Sequence, residues 1–140
     1  MIVSDDLLRK ILQETKVIAL VGWSPRPERP SHEVADFLVR QGYHVIPVNP
    51  GHSGAKSPWG EPVRGALSDI DIPVDMIDIF RNSDAVPPVV DEALAKFPAL
   101  STIWMQLAVV NEAAAAKSRA RGVQVVMDRC PAIEIPRLFG

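Results

Sequence analysis

Val17-Ile18-Ala19-Leu20-Val21 runs without a polar break into Gly22-Trp23-Ser24. A short unbroken apolar run reads as a strand buried on both faces, which is the situation inside a parallel sheet. Gly22 at its carboxyl end lets the backbone turn sharply and lie close to a ligand. A helix capped by Ser31 follows. Strand, tight loop and helix amino terminus form the layout that holds a phosphate group.

The rest of the chain repeats that alternation. Ser4 caps a first helix that carries Leu7, Leu8, Ile11 and Leu12 on one face. The helix from Ser31 buries Val34, Phe37 and Leu38 and ends at Gly42, a left-handed terminal residue. His44–Val48 reads as a second strand, 74–80 as a third, 101–105 as a fourth and 123–127 as a fifth. Asp84 caps a helix with an apolar stripe from Val86 to Phe97, stopped by Pro98. Asn111 caps an alanine-rich helix that closes at Gly122, and a terminal helix follows Pro131. Residues 49–62 read as a loop, with a short helix near 63–67. The expected fold is α/β: a Rossmann-like, doubly wound, mainly parallel five-stranded sheet with helices on both faces, one domain over 1–140.

Composition narrows the ligand. With 15 basic and 17 acidic residues in 140, the net charge is −2, and no basic excess points to nucleic acid or an anionic membrane. An anion site must therefore be local. One cysteine, Cys130, excludes an internal disulfide and fits a reducing cytoplasm. Residues 1–10 carry Asp5 and Asp6 and lack a leader's apolar core, and no apolar run is long enough to span a bilayer. His32, His44 and His52 are scattered, so no metal site is expected.

A dinucleotide-binding unit shows three glycines after its first strand and an acid near the end of its second, to hold the ribose diol. Only Gly22 is present here, and the second strand ends in Asn49-Pro50. The missing carboxylate argues against NAD and tolerates a phosphorylated ribose, as in NADP or coenzyme A. No Gly-Lys-Ser/Thr follows the first strand, which excludes a P-loop.

Seven short segments then agree with one family: Val21-Gly22-Trp23-Ser24, Arg29-Pro30-Ser31, Gly42-Tyr43, Val48-Asn49-Pro50, Asp78-Ile79-Phe80-Arg81, Trp104-Met105-Gln106 and Asp128-Arg129-Cys130-Pro131. In this order the chain resembles the small stand-alone coenzyme-A-binding proteins. These are related to the coenzyme-A-binding domain of the succinyl-CoA synthetase alpha subunit. One departure is Gln106-Leu107-Ala108, where the family usually has a glycine shortly after the glutamine; the backbone there is expected to be less free to approach a ligand.

The residues divide by what carries them. Gly22, Trp23 and Ser24 would offer backbone N–H groups and a hydroxyl to phosphates, against the plainer reading of a strand-to-loop turn. Replacing Gly22 would then remove binding and leave the melting transition largely intact. Arg26 and Arg29 can each neutralise a phosphate or stay solvated. Ser31 is an N-cap first and a phosphate contact through the same helix end. Lys56 can meet a ribose phosphate or remain solvated. Asp78, inside a strand, must be exposed at its end or paired with Arg81, because a buried unpaired charge costs several kcal/mol. The resemblance implies adenosine near Asn49 and Pro50, cofactor contacts at Phe80 and Arg81, and a pantetheine contact at Gln106. It also implies an adenine contact at Val86, with core packing as the competing role. Trp104 reads as core. Cys130 is a candidate for a mixed disulfide with the cofactor thiol, against the usual role of a small buried hydrophobe.

No nucleophile elbow or other catalytic set is present, and the related synthetase places its phosphorylated histidine in another domain. The resemblance therefore implies binding of coenzyme A or an acyl-CoA without catalysis. The competing readings are a small NADP-dependent oxidoreductase and a ligand-free module that works through a protein partner. Nothing in the helix faces demands a homodimer.

Overall fold

In the computed structural model, which describes residues 3–140, the apolar runs form one sheet. Its strands are β1 (Val17–Val21), β2 (His44–Val48), β3 (Met76–Ile79), β4 (Thr102–Met105) and β5 (Gln124–Val126). Met1 and Ile2, part of the stretch read for a leader, lie outside the described residues. All neighbouring strands are parallel, in the order β2-β1-β3-β4-β5. Parallel neighbours need crossovers, supplied by α2 (Pro30–Arg40), α3 (Val86–Lys96) and α4 (Glu112–Ala120); α1 (Asp5–Glu14) and α5 (Pro131–Phe139) flank them. From β1 the chain crosses to β2 on one side and returns to β3 on the other. Connections leave in opposite directions at that point, and the crevice at the carboxyl ends of β1 and β3 is where open α/β sheets bind ligands.

Alternation along each strand divides the side chains between two cores. Ala19, Val21, Ile77, Ile79, Ile103 and Met105 pack under α3 and α4 with Val90, Ala93 and Ala115. Ile18, Leu20, Met76, Trp104 and Val126 pack under α1, α2 and α5 with Leu8, Leu38 and Ile135. Each fully buried leucine or isoleucine contributes about 1.5–3 kcal/mol, so both faces must be covered. Asp75 closes the amino edge: its carboxylate accepts from the N–H groups of Lys16 and Val17 at 2.9 and 2.8 Å.

Several sequence expectations need correction. Strand β3 is shorter than 74–80. Asp84 lies inside a short 3₁₀ turn (Ser83–Ala85) and does not cap α3. Ser31 lies inside α2, whose capping position is Arg29. The reason is shared: α2, α3 and α5 all begin with proline in the first two positions, and proline there has no N–H needing a cap. Ser4 and Asn111 do cap, accepting from Leu7 N–H at 3.1 Å and Ala114 N–H at 2.9 Å. The helix expected near 63–67 is extended chain, where Arg64 bridges Val48 beside β2, and a 3₁₀ turn follows at Leu67–Asp69.

Asp78 is the largest surprise. It is fully buried, in register between Leu20 and Trp104, and neither carboxyl oxygen has a hydrogen-bond partner. It is neither at an exposed strand end nor bonded to Arg81. Burial pushes its carboxyl well above the ordinary aspartate range, so the neutral acid is the form that fits the core. The folded chain then holds a proton that the unfolded chain releases near pH 4. This stabilisation is complete below that pH and is lost as pH rises through the folded value. Denaturant midpoints between pH 5 and 9 are expected to fall with pH in the native chain, and Asp78→Asn should remove most of that slope. An unchanged slope in the variant would show that Asp78 is not the group responsible.

Candidate functional site

The loop after β1 is held from several directions. Gly22 has φ +89°, and a Cβ built on it would meet the Phe80 carbonyl oxygen at 2.3 Å. Only glycine fits this contact, and what it approaches so closely is the backbone after β3. The N–H groups of Gly22 and Trp23 donate to Val48 O at 3.0 and 3.3 Å, and Ser24 N–H donates to Ser31 Oγ at 3.0 Å. These three N–H groups are therefore engaged within the protein, contrary to their expected role as phosphate donors. Asn49 secures the turn by donating from Nδ2 to Trp23 O at 2.7 Å while its Oδ1 accepts from Gly51 N–H at 2.8 Å. An aspartate there could not donate, which is a structural reason for the amide. His32 Nδ1 lies 2.9 Å from Ser24 O, and because a carbonyl only accepts, Nδ1 carries the proton. Its ring stacks on Trp23 at 5.6 Å, and Trp59 meets Trp23 edge-on at 5.8 Å.

What stays available is polar and positive. A cleft of about 320 Å³ is lined by Gly22, Ser24, Arg26, Arg29, Pro30, Ser31 and Phe80. Arg26 pairs with Glu28 at 2.8 Å, whereas Arg29 makes no ion pair among the described residues. Ser24 Oγ accepts from Arg26 N–H at 3.2 Å, which leaves its own proton to donate outward. The amino end of α2 opens on the same cleft and adds its partial positive charge.

A second cavity, of about 460 Å³, is lined by Pro30, Val34, Phe80, Arg81, Asn82, Gln106, Leu107, Val109 and Cys130. It shares Pro30 and Phe80 with the cleft, so the two adjoin. Gln106 is 5% exposed and its Oε1 has no partner. Its outer wall, the loop after β4, contains Ala108 at φ +66°, and the facing loop contains Asp128 at φ +56°. Ala108 thus takes the left-handed turn despite its methyl group, a conformation that costs roughly 1–2 kcal/mol. The two loops hold each other in place: Ala108 N–H donates to Asp128 Oδ1 at 2.7 Å and Asp128 N–H to Val109 O at 3.2 Å.

Of the expected site residues, Gly22, Ser24, Arg26, Arg29, Ser31, Phe80, Arg81, Gln106 and Cys130 border one or both cavities. Trp23 is 2% exposed and faces the core. Val86 is wholly buried among the α3 contacts and takes the core role. Asn49 braces the loop, Pro50 opens a 3₁₀ turn beside it, and Lys56 is exposed on the segment that bridges to Pro62. Sequence reasoning missed Pro30, Val34, Asn82, Leu107 and Val109 as lining residues. Val34 carried only a helical-face signal, and Leu107 and Val109 lay in a loop without periodicity. Among the described residues no group of His, Cys, Asp and Glu is arranged to hold a metal ion, and no helix is long and apolar enough to cross a membrane.

Fold and site together define a Rossmann-like module with a polar, arginine-lined cleft at its β1/β3 switch point. Residues 16–136 match the CoA binding domain family, and the chain belongs to it. It is 38% identical over 123 residues to the uncharacterized protein YneT of Bacillus subtilis, covering 88% of this chain and 87% of that one. A solved hypothetical protein from Pyrococcus horikoshii superposes with a TM-score of 0.91 at 33% identity, covering 99% of this chain and 94% of the other. The structure of cell-free ID.343 from Thermus thermophilus also gives a TM-score of 0.91, at 36% identity, covering 98% of this chain and all of that one (100%).

The contact at Gly22 changes the expected result of replacing it. Gly22→Ala should lower stability by about 2–4 kcal/mol, summing left-handed strain and overpacking against Phe80 O. Thermal unfolding reads this directly. A melting transition equal to that of the native chain would mean the turn is not under this constraint.

Proposed function

We propose that the chain binds coenzyme A or an acyl-CoA at the carboxyl edge of its sheet, with no catalytic machinery of its own. The observation that carries the reading is that two unlike cavities adjoin at Pro30 and Phe80. One is small, polar and arginine-lined. The other is larger, has Val34, Phe80, Leu107 and Val109 for walls, and offers one unpartnered amide oxygen. A ligand that suits both has a charged diphosphate and a long, weakly polar arm with amide groups. Coenzyme A has that sequence of groups; NADP would place a second ribose and a charged ring where the apolar walls lie.

In this reading the diphosphate sits among Ser24 Oγ, Arg29 and the first turn of α2, with Arg26 joining at the cost of its pair with Glu28. The pantetheine arm passes Phe80, and one of its amide N–H groups donates to Gln106 Oε1, which satisfies a buried acceptor otherwise left bare. The adenosine lies toward Asn49 and Pro50, with the exposed Lys56 as the cation for the ribose 3′-phosphate. Membership of the CoA binding domain family supports the ligand class; the placement of each group is the proposal.

Calorimetric titration separates the readings. Coenzyme A should bind most tightly, dephospho-CoA more weakly, and NADP and NAD weakest. NADP binding without a response to coenzyme A would overturn the proposal, and silence toward all four would favour a protein-interaction module. Arg29→Ala should weaken coenzyme A about tenfold or more, the value of one charge-assisted contact. Its melting transition should stay unchanged, because Arg29 serves α2 through its backbone, which alanine keeps, and its side chain makes no ion pair among the described residues.

A further inference from the structure

Cys130 is the only cysteine of the chain and is 5% exposed. That small surface borders the apolar cavity beside Gln106. The backbone on either side is fixed. Arg129 O accepts from Trp104 Nε1 at 2.8 Å, and Cys130 O accepts from Ile133 and Glu134 N–H at 3.0 and 2.9 Å. Cys130 thus sits on a fixed backbone between the core under α2 and α5 and a cavity whose lining includes an unpartnered buried amide oxygen. Gln106 Oε1 points independently to a hydrogen-bonding ligand in the same space.

We propose that Cys130 is a covalent capture point for the thiol end of coenzyme A, formed by exchange with a coenzyme A disulfide. The inference rests on the reading above, because the diphosphate cleft must orient the arm across Pro30 and Phe80. Cys130 Sγ loses its proton to solvent and attacks one sulfur of the incoming disulfide. A Cys130–CoA disulfide forms, the original S–S bond breaks, and the other half leaves as a thiolate that takes up a proton. The entering disulfide is the only oxidant, and electrons balance without another reagent. Binding brings the two sulfurs together at an effective concentration in the millimolar range or above. The reaction should therefore prefer a disulfide that the cleft recognises over one that it does not. Chemically, the chain would then act as a redox-responsive store of coenzyme A.

The test follows intact mass while the full-length chain is incubated with oxidised coenzyme A or, separately, oxidised glutathione. We expect one coenzyme A per chain, released by dithiothreitol and formed at least about tenfold faster than the glutathione adduct, the advantage expected of a bound reactant. Cys130→Ser should abolish the adduct and melt like the native chain; Cys130→Ala is the second variant should serine perturb folding. No adduct, or equal rates with both disulfides while reduced coenzyme A still binds, overturns the capture and leaves the binding reading intact. Failure of reduced coenzyme A to bind the native chain overturns both.

Discussion

Gly22 turns left-handed with its Cα pressed on the carbonyl of Phe80, where β1 and β3 separate. That contact sets how closely the two strand ends approach, and the polar cleft opens beside it. Phe80 borders the polar cleft and the apolar cavity alike, so the backbone that Gly22 touches also forms the floor between them. The turn's own N–H groups are used up in holding it: two go to Val48 and one to Ser31. The side chains of Ser24 and Arg29 line the polar cleft instead. The loop is better described as a braced scaffold for these side chains than as a cradle of backbone donors.

The cost of holding the site open appears elsewhere at the same edge. Ala108 and Asp128 both sit in the left-handed region and are bonded across their two loops. Non-glycine residues keep such a conformation only when their surroundings over-determine it, as happens around binding and active sites. Ser83 contributes from a third loop, its hydroxyl accepting from Val110 N–H at 3.0 Å. Asp78 lies beneath, on the same strand face as Phe80 two residues on. Its carboxyl is held neutral by burial and leaves the core without a charge it could not solvate.

The sheet was legible in the sequence because continuous apolar runs have few alternatives: β1 and β2 keep the bounds of their runs, and β3, β4 and β5 lie within theirs, shortened at the ends. Helix starts were less legible. Ser31 and Asp84 look like caps, but the neighbouring prolines already meet the requirement that a cap serves, and Ser31 is freed to brace Ser24. Of the candidate site residues, those in the loops at the carboxyl edge of the sheet were placed best: Ser24, Arg29, Phe80, Arg81 and Gln106 all line a cavity. The site was illegible where function depends on a distant partner. Nothing local distinguishes Asn49 as a clamp on Trp23 O, His32 as a clamp on Ser24 O, or Val34 as a cavity wall, since each role is created by β2 or α2 folding against the loop. Val86 and Trp23 misled for the opposite reason: they stand at the edge in sequence but point inward.

The central claim is one continuous coenzyme A groove across the β1/β3 switch point. Backbone amide NMR of the uniformly ¹⁵N-labelled chain, titrated with reduced coenzyme A, tests it most directly. Saturable shifts are predicted at Ser24, Arg29, Ser31, Phe80, Gln106 and Cys130. None is predicted around the depression at the opposite edge of the sheet, between Ile70–Val74 and Lys96–Ala99. Shifts confined to that opposite edge, or to the arginine cleft with Gln106 and Cys130 unmoved, would contradict it.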